Sequence, residues 1–129
     1  MLKNILLNNL ILLIMAITVT TNYYTIDVPE EYQSKATDIV FIAALAKKLK
    51  MEDLHNQSKK AYMDLYNRWD KEGSALAKKK SSTNWLGAGS IYMASPMMPW
   101  DVCYQLGEAF VEEMPIEDCV KELKKALSK

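Results

Sequence analysis

The sequence predicts an all-α protein, a small single-domain bundle of about five helices that follows an N-terminal signal or anchor segment. Apolar residues recur at three- and four-residue spacing through most of the chain. Prolines precede acidic residues where helices would begin, and no long strand-like alternation is present. We therefore divide the chain into residues 1–21, the signal or anchor, and residues 22–129, the helical domain.

The N-terminal segment indicates export. Lys3 provides a short basic start, the unbroken apolar run spans Leu10–Val19, and small polar residues follow. This is the layout of a secretory signal peptide, and the run is shorter than the roughly 20 residues of a spanning helix. We expect a periplasmic or extracellular protein. The alternatives are an uncleaved membrane anchor that reaches back over Ile5–Leu7, and a buried helix of a soluble protein. Tyr23 and Tyr24 suit a membrane–water interface, so residues 1–24 are the candidate membrane contact.

Charge and cysteine content exclude several classes of function. The formal net charge is zero, which argues against a general nucleic-acid binder. The charges lie in blocks: Lys47–Lys80 is basic, and all six charges from Asp101 to Asp118 are negative. The even, small number of cysteines in an exported chain predicts a disulfide between Cys103 and Cys119. These two thiols and one distant histidine cannot supply the four ligands of structural zinc, so we expect no metal and no cofactor.

Helix periodicity places two long helices in the first part of the domain. The first spans Pro29 to about Lys50, and its middle, Ile39–Ala46, is apolar on all sides, which predicts central burial. The second spans Glu52 to about Lys79, with Gly73 as a position where it could kink or stop.

A polar linker, residues 78–84, separates these helices from the rest of the chain. We predict a short helix over Trp85–Ala94, with a turn at Gly87-Ala88-Gly89 as the alternative. Ser95–Pro99 breaks this segment. Two further helices are predicted, from Pro99 to about Met114 and from Pro115 to the end of the chain.

No residue pattern in the chain indicates catalysis. His55 is the only histidine, and Ser58 lies one turn away on the same helix, which is poor geometry for a triad. Glu112 and Glu113 diverge by about 100° on a helix and do not form a carboxylate dyad. The glycines near Ser90 lack the lysine of a phosphate-binding loop.

The most unusual feature is a group of methionine and tryptophan residues around prolines, which suits an adaptable apolar contact surface. The candidate partner-binding residues are Trp85, Met93, Met97, Met98 and Trp100. The alternative is that they belong to the core. The sequence favours an exported, non-enzymatic binding protein that contacts a protein partner through helix surfaces, as inhibitors, immunity proteins and regulators do. The alternatives are a membrane-tethered helical protein and a small hydrolase without a recognisable motif.

Overall fold

A computed structural model describes residues 20–129, which form four helices and a small three-stranded sheet. The predicted signal or anchor lies outside the described residues except for Thr20 and Thr21. The helices are α1 Glu30–Lys48, α2 Glu52–Lys80, α3 Trp100–Val111 and α4 Ile116–Leu127. The strands are β1 Thr21–Ile26, β2 Ser82–Thr83 and β3 Gly89–Ala94.

The four main helices confirm the helical prediction. Helices α1, α3 and α4 each begin directly after a proline, and each has acidic residues in its first turn. The fixed φ of proline suits a helix start, and carboxylates stabilise the positive end of the helix dipole. Helix α2 continues through Gly73, so it does not stop there as the sequence allowed.

The prediction of a purely α-helical protein with about five helices is wrong. Gly89–Ala94, which we expected to be helical, forms β3, and β1 pairs with it in parallel from Thr21↔Gly89 to Ile26↔Ala94. Strand β2 pairs antiparallel on the other side of β3, so the sheet order is β1-β3-β2. The pairing partners of β1 lie more than 60 residues away, which local periodicity cannot register.

Two glycines and an asparagine form the turn that leads into β3. Gly87 has φ +83°, in the left-handed region that glycine adopts without steric cost. The Asn84 side-chain oxygen accepts hydrogen bonds from the backbone N–H groups of Leu86 (2.9 Å) and Ala88 (3.2 Å). At Gly89 the backbone of Ser82 approaches so closely that a side chain would overlap its carbonyl oxygen, 1.7 Å from an ideal Cβ. This contact requires glycine at the start of β3.

Helix α1 lies at the centre of the domain, as its apolar middle predicted. It packs against α2, α3 and α4, and the side chains of Ala43–Ala46 are almost completely buried. Two core clusters form along it. The first joins α1 and α2 with the start of α3, and the second joins α1 with α4 and the end of α3. The first contains Tyr32, Ala36, Val40, Ala43, Tyr62, Leu65, Trp69, Met97 and Trp100, and the second contains Ala44, Leu45, Val111, Cys119 and Leu123.

Side chains of the helices hold the connecting segments in place. Trp69 donates a hydrogen bond from Nε1 to the Ser95 carbonyl at 2.8 Å, just after β3. The Lys48 ammonium group donates to the carbonyls of Val111 (2.7 Å) and Glu112 (2.8 Å), and also to that of Met114. These carbonyls lie at the end of α3, where a cation complements the helix dipole. The turn between α3 and α4 is thereby fixed to α1.

At Gly107, α3 lies so close to α1 that an ideal Cβ would lie 2.6 Å from Cγ1 of Val40. Gly107→Ala should therefore destabilise the protein by about 1–3 kcal/mol through overpacking. At an uncrowded helix position the same change would stabilise it by up to about 1 kcal/mol. Urea unfolding measures the difference. Adding Val40→Ala should remove part of the overpacking penalty, and a Gly107→Ala variant more stable than the native protein would contradict this close contact.

Candidate docking groove

A groove runs along α1 between this helix and the Ser95–Phe110 region, and we call it the α1–α3 groove. It consists of two adjoining cavities of about 440 and 320 Å³. Thr37 and Cys103 line both cavities, so the two lie side by side. The first has a mixed lining that includes Asp27, Gln33, Ser95, Met97 and Met98. The second is apolar, with Val40, Phe41, Leu106, Gly107 and Phe110.

The apolar part of the groove exposes large side chains to solvent. Leu106 is 61% exposed and Phe110 is 69% exposed, and Val102, one turn before Leu106, is also exposed. The three residues are spaced by four, so they form one stripe on α3. Phe110 contacts Phe41 of α1 edge to face, with ring centroids 5.6 Å apart. The two rings form one wall of an open apolar surface.

The sequence interpretation missed this stripe. Periodicity predicts Val102, Tyr104 or Leu106, Ala109 and Phe110 as the buried side of α3, but the buried residues of this helix are Trp100 and Val111. The sequence contains two apolar stripes on α3, and periodicity alone does not tell which faces the core. Gly107 is the sequence signal for the inward face of α3, because a helix can pack closely against its neighbour on a face that carries a glycine.

Two side chains that line the other part of the groove donate hydrogen bonds to main-chain carbonyls. Gln33 donates from Nε2 to the Val28 carbonyl at 2.7 Å, and the Tyr62 hydroxyl donates to the Met98 carbonyl. Burial raises the pKa of Tyr62 above its ordinary value, with further contributions from neighbouring Cys103 and Tyr66. Tyr62 therefore stays protonated and keeps its donor. Among the described residues that line the groove, only Asp27 carries a charge.

The structure separates the five predicted partner-binding residues. Met97 and Trp100 are only 5% and 8% exposed and belong to the first core cluster, so the expectation that they are surface residues is wrong. Met98 is partly exposed and lines the groove. Met93 and Trp85 are exposed but lie on β3 and on the turn before it, away from the groove. Trp100 is the first residue of α3, and it packs in the same core cluster as Met97.

An aromatic cluster surrounds Trp100 and explains its burial. Trp100 stacks on Tyr104 with ring centroids 5.0 Å apart and meets Tyr62 edge to face at 5.3 Å. The half-buried His55 ring lies on the same cluster, and its Nδ1 lies 2.9 Å from the Ala43 carbonyl. The Ser58 hydroxyl donates to the Leu54 carbonyl at 2.8 Å. Both polar groups thus serve main-chain hydrogen bonds, and this arrangement does not support a hydrolytic pair.

The expected disulfide is not formed: in the part of the chain that the structure describes, both cysteines are free. Cys119 is buried in the second cluster, whereas Cys103 is partly exposed at the edge of the first. Cys103 precedes the end of α3 by eight residues, about 12 Å of helix, while Cys119 lies within the first turn of α4. The two residues are therefore at different heights in the α3–α4 hairpin.

Within residues 20–129, no group of three or more His, Cys, Asp and Glu side chains is arranged to hold a metal ion. None of the helices described there has both the length and the apolar character needed to cross a membrane. Comparison with protein-family models, curated proteins and solved structures found no match to this chain.

The neighbouring methionines give a direct test of this arrangement. Met97→Ser should destabilise the protein by roughly 2–5 kcal/mol, because it removes a large apolar side chain from the core. Met98→Ser should cost less than about 1 kcal/mol, because the side chain is partly solvent-exposed and its carbonyl, not its side chain, binds Tyr62. Thermal unfolding of the two variants provides the comparison. Equal losses of stability would show that the burial difference is wrong.

Proposed function

We propose that this protein is an exported, non-enzymatic binding protein whose α1–α3 groove receives an amphipathic, basic helix of a partner protein. The observation that carries the proposal is the exposed apolar stripe of α3, where Leu106 and Phe110 border an apolar cavity. Contiguous apolar surface of this kind on a soluble domain marks interaction sites. A helix that inserts residues spaced by three and four into such a groove is a common mode of recognition.

The charge distribution supports a basic partner. Helix α3 carries Asp101 and Glu108 and no lysine or arginine, and Glu112 and Glu113 follow directly. Lys47 and Lys48 at the end of α1 line a neighbouring cavity together with Glu108 and Glu112, and Lys48 is occupied by the main-chain carbonyls at the end of α3. Among the described residues that line the groove, the one charged residue, Asp27, is also acidic. A helix with lysine or arginine beside its apolar face would be attracted to this side of the domain.

The groove is formed by contacts within the domain itself. Its walls are set by the Gly107–Val40 contact, the Phe41–Phe110 pair and the hydrogen bonds of Lys48 to the end of α3. A preformed surface loses little conformational entropy on binding, so even a short helix can bind measurably.

A designed helical peptide of leucine and lysine, with leucines spaced by three and four, provides a test. We expect it to bind the full chain more tightly than the matched leucine and glutamate peptide. Leu106→Ser and Phe110→Ser should each weaken binding about tenfold, the loss typical of a central apolar contact. Leu127→Ser, which changes a similarly exposed leucine on α4, is the control. Calorimetry gives the affinities, and alkylation of Cys103 should slow when the peptide occupies the groove.

Three results would reject the proposed groove. These are equal affinity for the two peptides, no effect of Phe110→Ser, and unchanged Cys103 alkylation in the presence of bound peptide. Self-association of the chain that Phe110→Ser abolishes would instead assign the surface to a second copy. Buried Cys119 reports whether the fold stays intact, because it should react only after unfolding.

The second candidate function, a membrane-tethered protein, is favoured by the apolar run Leu10–Val19 and by exposed Tyr23 and Tyr24 immediately after it. N-terminal sequencing of the protein isolated from cells distinguishes the two. For the exported form we expect a new N-terminus at Val19 or Thr21, because a cut after Thr21 would remove the first residue of β1. Chains that retain Met1 in a membrane fraction would support the tether, and full-length chain found only in the cytosol would contradict both.

A further inference from the structure

The end of α2, the start of β1 and the turn before β3 meet at one end of the domain, which we call the sheet tip. It comprises Thr21–Tyr24, Lys78–Lys80 and Trp85–Gly87. The Thr21 hydroxyl donates to the Gly87 carbonyl at 3.0 Å and so ties the start of β1 to the turn. Lys80 lies over the ring of Tyr92, with its Nζ 5.7 Å from the ring centroid.

Large aromatic side chains project from this tip. Trp85 is 90% exposed, the largest exposed fraction among the large apolar residues described, and Leu86 beside it is also exposed. Tyr23 is exposed, and Tyr24 stacks on Tyr92 with ring centroids 4.9 Å apart. Tryptophan and tyrosine are the residues enriched at the membrane–water interface, because one part of each side chain is apolar and another is polar.

The charge of the tip is entirely positive. The sequence contains no aspartate or glutamate between Gly73 and Trp100, nor before Asp27. Three consecutive lysines, Lys78–Lys80, therefore stand without an acidic neighbour in the adjoining sequence. Basic residues beside an apolar insertion attract anionic lipid headgroups.

The tip is also the point where the apolar N-terminal run joins the domain. Residues Leu10–Val19 end one residue before Thr20, and β1 begins at Thr21. A bilayer that contains this run, or from which the run has been cleaved, would be separated from the tip by only a few residues of chain. This continuity distinguishes a lipid surface from a protein partner.

We propose that the sheet tip is a lipid-binding surface that rests on a bilayer with anionic headgroups, with Trp85 and Leu86 in the interface and Lys78–Lys80 on the headgroups. This contact is separate from the α1–α3 groove. Tyr62, which lines the groove, and Lys80 are eighteen residues apart on α2, about 27 Å along the helix. A domain that rests on its tip would therefore keep its groove away from the membrane and accessible to a partner.

Trp85 allows a direct measurement, because the other two tryptophans, Trp69 and Trp100, are buried in the core. The full chain is reconstituted into phosphatidylcholine vesicles with and without phosphatidylglycerol, using lipids brominated near the headgroup end of the acyl chain. Bromine quenches only fluorophores that touch it. We expect strong quenching of the native chain in the anionic vesicles and little quenching of the Trp85→Phe variant.

The lysines are tested by charge-matched variants. Changing Lys78, Lys79 and Lys80 to glutamine should lower the ratio of docked to undocked tips about a hundredfold, since each lysine contributes about fivefold at an anionic surface. Changing the exposed α2 residues Lys59, Lys60 and Lys71 to glutamine alters the net charge equally and should leave the quenching unchanged.

Two outcomes overturn the proposal. In the first, bromolipids quench the native chain no more than the Trp85→Phe chain. This would show that Trp85 does not contact lipid, and a protein partner would become the alternative. In the second, the two lysine variants behave alike or the quenching is the same in neutral vesicles. Either result would show that anionic headgroups do not contribute to the contact. Neither outcome bears on the leucine–lysine peptide, because its binding depends on α3.

Discussion

The burial of α1 is the constraint on which the rest of the structure depends. A helix that is apolar on nearly all sides has to be covered on nearly all sides, and α2, α3 and α4 provide that cover. The run of alanines at Ala43, Ala44 and Ala46 keeps the helix narrow, so its neighbours can approach closely. Gly107 extends this principle to α3, where the absence of a side chain brings the helix onto Val40. The close crossing leaves Leu106 and Phe110 beside the contact and exposed, and so creates the groove.

Side chains that bind main-chain carbonyls hold the irregular parts of the chain against this helical core. Trp69 binds the Ser95 carbonyl, Tyr62 binds the Met98 carbonyl, and Lys48 binds the end of α3. Each donor lies on a long helix, and each acceptor lies where the chain leaves regular structure. A carbonyl left unpaired in a buried position is costly, so these bonds restrict each segment to one path. The shape of the groove follows from the same donors, since the segment that Tyr62 holds is one of its walls.

The formal net charge is zero, but acidic and basic residues are concentrated in different regions of the molecule. The α3 side is acidic, and the sheet tip is basic and free of acidic residues in its sequence. Both regions expose aromatic side chains, Phe110 on one and Trp85 on the other. The two proposals place partners of different chemistry on them, a basic helix on the first and anionic lipid on the second. The length of α2 separates them, so the two contacts do not compete for space.

The sequence by itself determined the helices and the central position of α1, because proline starts, acidic first turns and three- and four-residue periodicity are local signals. It also singled out Met98 and Trp85 among the exposed residues, although it grouped them with buried Met97 and Trp100. Only the tertiary structure decided which apolar stripe of α3 faces inward, that Cys103 and Cys119 lie in different clusters, and that Gly89–Ala94 is a strand. The parallel partner of that strand comes from the other end of the described chain, at Thr21–Ile26. Pairing across such a distance depends on where α1 and α2 carry the chain, and no local pattern records it.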